Sequence, residues 1–514
     1  MPQLPWPDNA QSGPVTADID RVDTWLPGTV PGTVQSDLLS LGHILDPFLE
    51  NNLAACRWVE GLDWWYRAVL PLQLDPGQRA FLEFDGVDTL SALFVNGQEL
   101  RRHEGMFSRQ TVEIPPALAA NPEAELAVRL WSSDALPRYE LTAGEQVWSR
   151  VAGMAQSSFR PFDDRLATLK APMHSGWDFA PRLRTMGIWD DARLVVCHGV
   201  YLGDVWVQAE PLEPLTDPAR ARVRVRLMLD SDETRTVAVS CVVRPATFTG
   251  ETEQRFDFTF DVPQGHSQHE LGFDLAAARL WQPWERGEPC LYELTVSLRT
   301  GEAAHSQAND SIPFDVFSTR FGVRRIERQR TDRGHPWRLA VNGQPLFLRG
   351  ANWVPVDALW GRARRCHYQA LLYQARRAGV NFLRVWGGGG REKRAFYDLC
   401  DELGLLVWQE FPIACVFLDH LPRTKRFRRL LHQKTTGIVQ ALRNHPSLFL
   451  WCGGNEFSPR RNRPAVSILS QVVAAEDGLR PFIAASPGPA MRTTDRCGTA
   501  RRHWPPTAAS GLPL

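Results

Sequence analysis

From Leu346 to Ala485 short apolar runs alternate with longer amphipathic ones. That alternation restricts this part of the chain to a parallel β/α sheet or barrel, because neighbouring parallel strands need a long crossover and a helix is the usual one. Leu346-Phe347-Leu348 reads as a short strand leading into Arg349-Gly350-Ala351-Asn352-Trp353. A helix is predicted over Arg365–Ala378 with Gly379 after it, then a strand over Asn381–Trp386 and a helix over Lys393–Leu403 with Gly404 after it. A strand over Leu405–Trp408, a basic helix over Lys425–Leu442, a strand over Ser447–Trp451, a helix over Ala465–Asp477 and a strand over Phe482–Ala485 complete the series. Glycine just past a helix supplies the left-handed residue that ends it. A full eightfold β/α (TIM) barrel takes about 250 residues, so the expectation for 319–490 is a partial TIM barrel of about five strands. Residues 491–514, rich in Ala, Arg, Thr, Pro and Gly without period, read as a disordered tail.

The chain upstream is β. Short apolar and aromatic runs bounded by turn residues cover Trp58–Leu74, Ala80–Val95, Thr111–Ile114 and Leu126–Trp131. Asn96-Gly97 between two such runs is the dipeptide of a tight hairpin whose central residues both need positive φ. Residues 1–200 are expected to form a sandwich or jelly roll. Arg222–Leu227 and Phe256–Val262 alternate polar and apolar residues with period two, as strands with one buried face do. An immunoglobulin-like sandwich over 201–318 accounts for them.

Composition narrows the partners. The 514 residues carry 58 basic and 58 acidic side chains, so no net field draws the chain to nucleic acid. No run of 18 apolar residues suggests a membrane span, and the opening MPQLPWPDNAQ lacks the form of a secretory leader. Nine cysteines without CxxC spacing argue against a disulfide framework and a zinc site, and for a reducing, cytoplasmic setting. His367, His420, His432 and His445 show no metal-ligand spacing and are read as surface or capping residues. Lys425–Arg429 is read as a solvated helix face rather than a nucleic-acid patch, and Cys400, Cys415 and Cys452 as core thiols. Expected cofactors and metals are none.

Reactive groups of a β/α barrel gather at the C-terminal ends of its strands. Those ends carry Arg349, Asn352 and Trp353, then Arg384, Trp386 and Gly387–Gly390, then Gln409-Glu410, and last Gly453-Gly454-Asn455-Glu456. Amides, carboxylates, an arginine and tryptophans suit a sugar, whose hydroxyls need polar partners and whose ring face needs an aromatic plane. Glu456 is the candidate general acid; the alternative is a glutamate satisfied by backbone amides at a helix start. The glycine run fails both phosphate-loop patterns, since Glu392 stands where the third glycine of G-x-G-x-x-G belongs, and is read as a tight sugar-facing turn.

Several motifs resemble glycoside hydrolase family 2, and within it the β-mannosidases. They are Val30–Val34, Asp63-Trp64-Trp65-Tyr66-Arg67, Gly176-Trp177-Asp178-Phe179-Ala180-Pro181-Arg182 with Gly187-Ile188-Trp189, Leu280-Trp281-Gln282-Pro283, Gly350–Pro355, Arg384–Gly389 and Trp451–Glu456. The resemblance implies removal of terminal, non-reducing β-D-mannose from a β-mannoside or oligosaccharide by double displacement. It implies Glu456 as acid/base, Asn455 on the sugar 2-hydroxyl, Asp178 reaching from the first domain to sugar hydroxyls, Trp386 and Trp353 as walls and Arg384 orienting carboxylates; Trp177, beside Asp178, and Asn352, at its strand end, are further candidates for substrate binding. A turn aspartate bonded to its own loop is the alternative for Asp178, and core packing the alternative for Trp353. Phe179-Ala180 stands where the family has Trp-Gly, and Glu410 where an Asp is expected.

A retaining mechanism needs a second carboxylate about 5 Å from the first, which the family places at the end of the seventh barrel strand. Three further β/α units at about 30 residues each need more chain than the sequence has after Glu456. The expectation is therefore a nucleophile absent from this stretch, with little or no turnover. A non-catalytic sugar-binding fragment, or a family 2 hydrolase acting on β-glucuronides, β-galactosides or glucosaminides, are the alternatives.

Overall fold

A computed structural model describes residues 4–5, 11–15, 24–119, 122–137, 163–300, 313–329, 338–416 and 419–487, with short pieces at 143–144, 147 and 151. The expectation for 491–514 lies outside the described residues.

The first region folds as two antiparallel sheets around one core. One sheet runs Leu26–Pro27, Gln11–Val15, Asp63–Pro71, Glu123–Leu130, Leu90–Val95 and Gln98–Glu104; the other runs Leu4–Pro5, Ala192–His198, Gln78–Phe84 and Gln110–Ile114. Trp64, Tyr66, Leu82, Phe84, Leu93, Val128 and Leu194 fill the space between them. Asn96 and Gly97 sit at φ 49° and 77°, the left-handed pair that turns Leu90–Val95 into Gln98–Glu104. Trp58 belongs to a 3-10 helix, Arg57–Gly61, and the strand starts only at Asp63.

The second region stacks a three-stranded sheet (Val200–Pro211, Ala219–Ser231, Gly265–Ala278) on a four-stranded one (Gln254–Val262, Arg235–Pro245, Tyr292–Thr300, Asp315–Phe321). Ala221, Val223, Val225, Leu227 and Leu229 point inward while Arg222 and Arg224 face solvent, so the period-two reading holds. Phe256, Phe258 and Phe260 are only half buried, because their strand lies at the sheet edge. Phe256 stacks on Phe273 and Phe260 on His269 instead.

The third region is a parallel sheet of five strands in chain order: β1 (Gly350–Trp353), β2 (Phe382–Val385), β3 (Leu406–Glu410), β4 (Leu448–Cys452) and β5 (Phe482–Ile483). Helices α1 (Arg365–Arg377), α2 (Arg394–Leu403), α3 (Lys425–Leu442) and α4 (Arg463–Glu476) join them. β1 starts four residues after Leu346, at Gly350; Leu346 packs instead against a second apolar cluster with Trp281, Leu339 and Leu450. Leu383, Val385, Val407 and Trp451 face the helices and share a core with Leu372, Phe396, Leu431 and Leu469. Phe382, Trp408, Leu450 and Ile483 face the other way. Alternation then puts Arg384 and Glu410 on that second face, one step nearer the C-terminal ends than Phe382 and Trp408.

The first sandwich is bound to this sheet by polar contacts in a buried seam. Arg391 donates to Asp190 (2.8 Å) and to the Asp85 carbonyl (2.7 Å), and its guanidinium lies over Trp189. Lys434 of α3 donates to the Glu104 carbonyl (2.6 Å) and to Ser108 Oγ (3.1 Å). Gly105 is required there: it holds φ +135°, and a Cβ would coincide with the lysine head group. Burial brings the Lys434 ammonium down to about 7, with Glu104 and Asp88 opposing the shift.

The unfolded chain therefore binds one more proton than the native one between about pH 7 and pH 10 at this lysine, so folding stability rises with pH across that window. Urea denaturation at pH 7 and pH 9 should show a gain of a few kcal/mol at most from this group. Lys434→Met should flatten the dependence while leaving the fold in place, and an unchanged slope in that variant refutes the assignment.

Candidate active site

Arg384 leaves β2 pointing toward the strand C-termini, and its guanidinium is shared by three neighbours. Nε donates to Glu410 Oε1 of β3 (2.9 Å), Nη1 to Asn352 Oδ1 of β1 (2.9 Å) and Nη2 to Asn455 Oδ1 beyond β4 (2.6 Å). One planar fork thus orients residues from the ends of three other strands. Glu410 is fully buried; its second oxygen accepts the Gly387 backbone N–H (2.8 Å). Burial pushes the Glu410 carboxyl up, against Arg384 and the Gly387 amide, which hold it down.

Glu456 follows Gly454 and Asn455 at the end of β4. Its side chain is exposed, and its backbone adopts φ +50°, which non-glycine residues rarely do and neighbours must hold. The Glu456 N–H donates to the Ser486 carbonyl (2.7 Å), and the Asn455 N–H to the Ile413 carbonyl (2.8 Å), so the segment is clamped between the ends of β3 and β5. The carboxylate accepts a hydrogen bond from Cys415 Sγ at 2.9 Å. The helix-start alternative does not describe this: α4 begins seven residues later, at Arg463.

The first sandwich supplies one side of the same mouth. The loop after Gly176 places Trp177 edge-on to Trp386 (centroids 5.0 Å apart) and Phe179 beside the same ring (5.4 Å). Asp178 between them is exposed, and its carboxylate has no hydrogen-bond partner among the described residues, so it is not spent on its own turn. Arg165 lies over the Trp177 ring and donates to the Cys415 carbonyl (2.9 Å), linking the loop to the Glu456 clamp.

The structure thus brings together Trp177, Asp178, Asn352, Arg384, Trp386, Asn455 and Glu456. Trp353 stands apart from them. It is 7% exposed, packs against Phe396 and Tyr368, and donates to Glu392 Oε1 (2.9 Å), so its packing alternative describes its place. Gly387–Gly390 does not present an open turn to a ligand. These glycines are buried, Cβ atoms at Gly389 and Gly390 would strike Pro355 and Phe107, and the Gly388 carbonyl accepts the Met173 N–H.

Two other expectations are corrected. Cys415 is not an inert core thiol but a neighbour of Glu456, pushed up to about 12 by burial and by the carboxylate it donates to. His445 is neither at the surface nor a cap; it is buried with Nδ1 on Asp401 Oδ2 (2.6 Å). Asp398, Asp401 and His445 bring ligand atoms within 4.8 Å of one another. Protein groups already engage them: Arg320 meets Asp398 and the Ser447 N–H meets Asp401. No periodicity marks Cys415 or Arg165, since both act through contacts distant in sequence.

Two antiparallel sandwiches followed by a parallel β/α sheet are the domain order of glycosyl hydrolases family 2, and the chain belongs to that family. Residues 10–190 match its galactose-binding domain-like model, 200–324 the family 2 model and 336–499 the family 2 TIM barrel domain. The chain is 31% identical over 439 residues to β-mannosidase B of Emericella nidulans, an alignment covering 84% of this chain and 48% of that protein. It is likewise 31% identical over 433 residues to β-mannosidase B of Thermothelomyces thermophilus, covering 83% and 47%. The crystal structure of the β-D-mannosidase from Dictyoglomus thermophilum superposes with a TM-score of 0.76 at 30% identity, covering 96% of this chain and 59% of that one. An exo-chitosanase from Amycolatopsis orientalis shares the fold at 20% identity, with a TM-score of 0.72, covering 94% of this chain and 53% of that one. The chain spans about half the length of the curated relatives it matches. Among the described residues no helix is long and apolar enough to cross a membrane.

Removing the fork should strand the buried Glu410 charge. Arg384→Met should cost about 3–5 kcal/mol in urea denaturation, and the double variant Arg384→Met with Glu410→Gln should recover part of that loss. A single variant as stable as the parent would show that the fork does not hold the site.

Proposed function

We propose that this chain carries the sugar-binding and acid/base half of a retaining β-mannosidase, acting on terminal, non-reducing β-D-mannosyl residues. The observation that carries the reading is the Glu456 carboxylate standing beside Asn455, which the Arg384 fork orients, while Trp177 and Asp178 arrive from the first sandwich. The β-mannosidase relatives support the choice of sugar.

In this reading the mannosyl ring lies against the Trp177–Trp386 wall. The Asp178 carboxylate accepts from its hydroxyls, and the Asn455 amide meets the 2-hydroxyl. Asn352 and Arg384 close the polar floor. Protonated Glu456 gives its proton to the departing glycosidic oxygen as that bond breaks; ionised, it later takes a proton from the attacking water. The second carboxylate of a double displacement sits about 5 Å from the first. Glu410 is not that group, because its oxygens are taken by Arg384 and the Gly387 amide inside the sheet. Asp178 is assigned to binding. The residues described thus furnish acid and recognition, and the covalent step needs a carboxylate beyond them.

Calorimetric titration with β-1,4-mannobiose tests the reading without relying on turnover. Binding is expected, and Asp178→Ala and Trp386→Ala should each weaken it about tenfold or more, as loss of a charge-assisted hydrogen bond or a stacking face does. Glu456→Gln should bind as well as the parent. Mannobiose binding that survives Asp178→Ala and Trp386→Ala unchanged would place the sugar elsewhere. An aryl β-mannoside cleaved at the rate of full-length β-mannosidases would show that the nucleophile is within these residues after all.

A further inference from the structure

Two segments beside the Glu456 turn are strongly cationic. Phe457-Ser458-Pro459-Arg460-Arg461-Asn462-Arg463 comes directly after the glutamate, and Leu421-Pro422-Arg423-Thr424-Lys425 leads into α3. They form one surface. Ser458 N–H donates to Asp419 Oδ1 (2.6 Å), Leu421 N–H to Asn462 Oδ1 (2.8 Å), and Asn462 Nδ2 to the Asp419 carbonyl (3.0 Å). Arg423 and Arg428 line the notch between the starts of α3 and α4 together with Asn462 and Pro464.

Elsewhere on the β/α region several arginines reach carboxylates. Arg349, Arg362, Arg365 and Arg394 pair with Glu285, Asp357, Glu402 and Asp398 respectively, whereas Arg376 lies over Trp284 and Arg364 and Arg377 meet no carboxylate among the described residues. On this rim the unpaired cations are gathered together. Arg423, Lys425, Arg428, Arg460 and Arg463 are exposed and have no carboxylate partner among the described residues; Arg461 meets only Asp419, at 3.7 Å. Like charges gathered on two bonded loops repel one another, and an anion docking between them relieves that repulsion.

Position gives the patch its meaning. A general acid must reach the glycosidic oxygen, so the side of the acid that faces away from the sugar-binding wall borders the departing group. We propose that this rim is a subsite for an anionic aglycone, so that the preferred substrates are β-mannosides linked to a sugar bearing a carboxylate or sulfate. The guanidinium forks of Arg460 and Arg463 suit either group. This inference rests on the reading of Glu456 as the acid/base, and it concerns the aglycone, which that reading leaves open.

The test compares binding of 4-O-β-D-mannosyl-D-glucuronic acid, a mannobiose sulfated on its reducing-end sugar, and neutral β-1,4-mannobiose to the whole chain. At low salt at least one acidic disaccharide should bind on the order of tenfold more tightly than the neutral one, and the advantage should shrink from about 20 to about 200 mM salt. Whichever acid binds better names the anion. The surface variant Arg423→Ser/Arg460→Ser/Arg463→Ser should bring the acidic and neutral ligands to the same affinity without weakening mannobiose, and the lysine triple variant at the same positions should keep most of the preference. Equal affinity for all three ligands, or a preference that the serine variant retains, overturns the aglycone subsite while leaving the mannoside reading intact. Binding of none of them overturns both. A short single-stranded DNA oligonucleotide that binds through these arginines while the disaccharides show no preference would likewise overturn it, in favour of a polyanion surface.

Discussion

The site exists because the first sandwich comes into van der Waals contact with the turn after β2. Gly388, Gly389 and Gly390 keep that turn thin enough for Trp386, Pro355 and Phe107 to close over it. A side chain at Gly390 would strike Phe107 and push the two regions apart. Behind the turn Arg391 closes the seam from the β/α side, reaching Asp190 and Asp85 of the sandwich while lying over Trp189. Trp189 in turn meets Phe107 and Trp360 edge to face. This buried aromatic joint fixes the angle at which the Gly176–Arg182 loop crosses the mouth. Arg165 on the Cys415 carbonyl and the Met173 N–H on the Gly388 carbonyl help it hold Trp177 and Asp178 at the site.

Within the mouth, one positive charge organises the polar groups. A carboxylate as deeply buried as Glu410 is costly unless a cation and hydrogen bonds compensate it, and Arg384 does both. Because Arg is planar and has donors to spare, compensating Glu410 leaves Nη1 and Nη2 to align Asn352 and Asn455. The amide orientations at the mouth are therefore a consequence of charge compensation one layer below. The same logic runs through Asp401, whose burial is balanced by His445 and the Ser447 amide, in a place that has no part in sugar binding. Buried ion pairs alone do not mark the site; their position at the strand C-termini does.

How much could be read from the residues depended on the range of the forces involved. The helix over Lys425–Leu442 and the strand around Arg222–Leu227 arise from local periodicity, and both stand where that periodicity puts them. The Asn96-Gly97 hairpin arises from backbone sterics, which no distant contact overrides. The strand expected at Leu346–Leu348 failed on the same scale: a short apolar run specifies burial, and Leu346 found it against Trp281 rather than in the parallel sheet. Trp353 and the glycine run were read from their place near strand ends, yet both are turned to packing by neighbours far away in the chain. Cys415 carried no local signal at all. Its role is visible only once the ends of β3 and β4 lie side by side.

That thiol completes the account of how Glu456 is held. The left-handed backbone at Glu456 directs its side chain across the strand ends rather than back over β4, so the carboxylate needs a partner on the β3 side. Cys415, itself at φ 45°, meets it there, and its N–H is anchored by the Asn455 carbonyl. With its thiol pushed up to about 12, Cys415 stays protonated at any physiological pH and donates to Glu456. Asn455 Nδ2 reaches the same sulfur at 3.5 Å, while Asn455 Oδ1 accepts from Arg384. An unbroken chain of contacts thus runs from buried Glu410 through Arg384, Asn455 and Cys415 to the exposed carboxylate. The proposed acid/base is positioned from beneath by a charge pair it never touches.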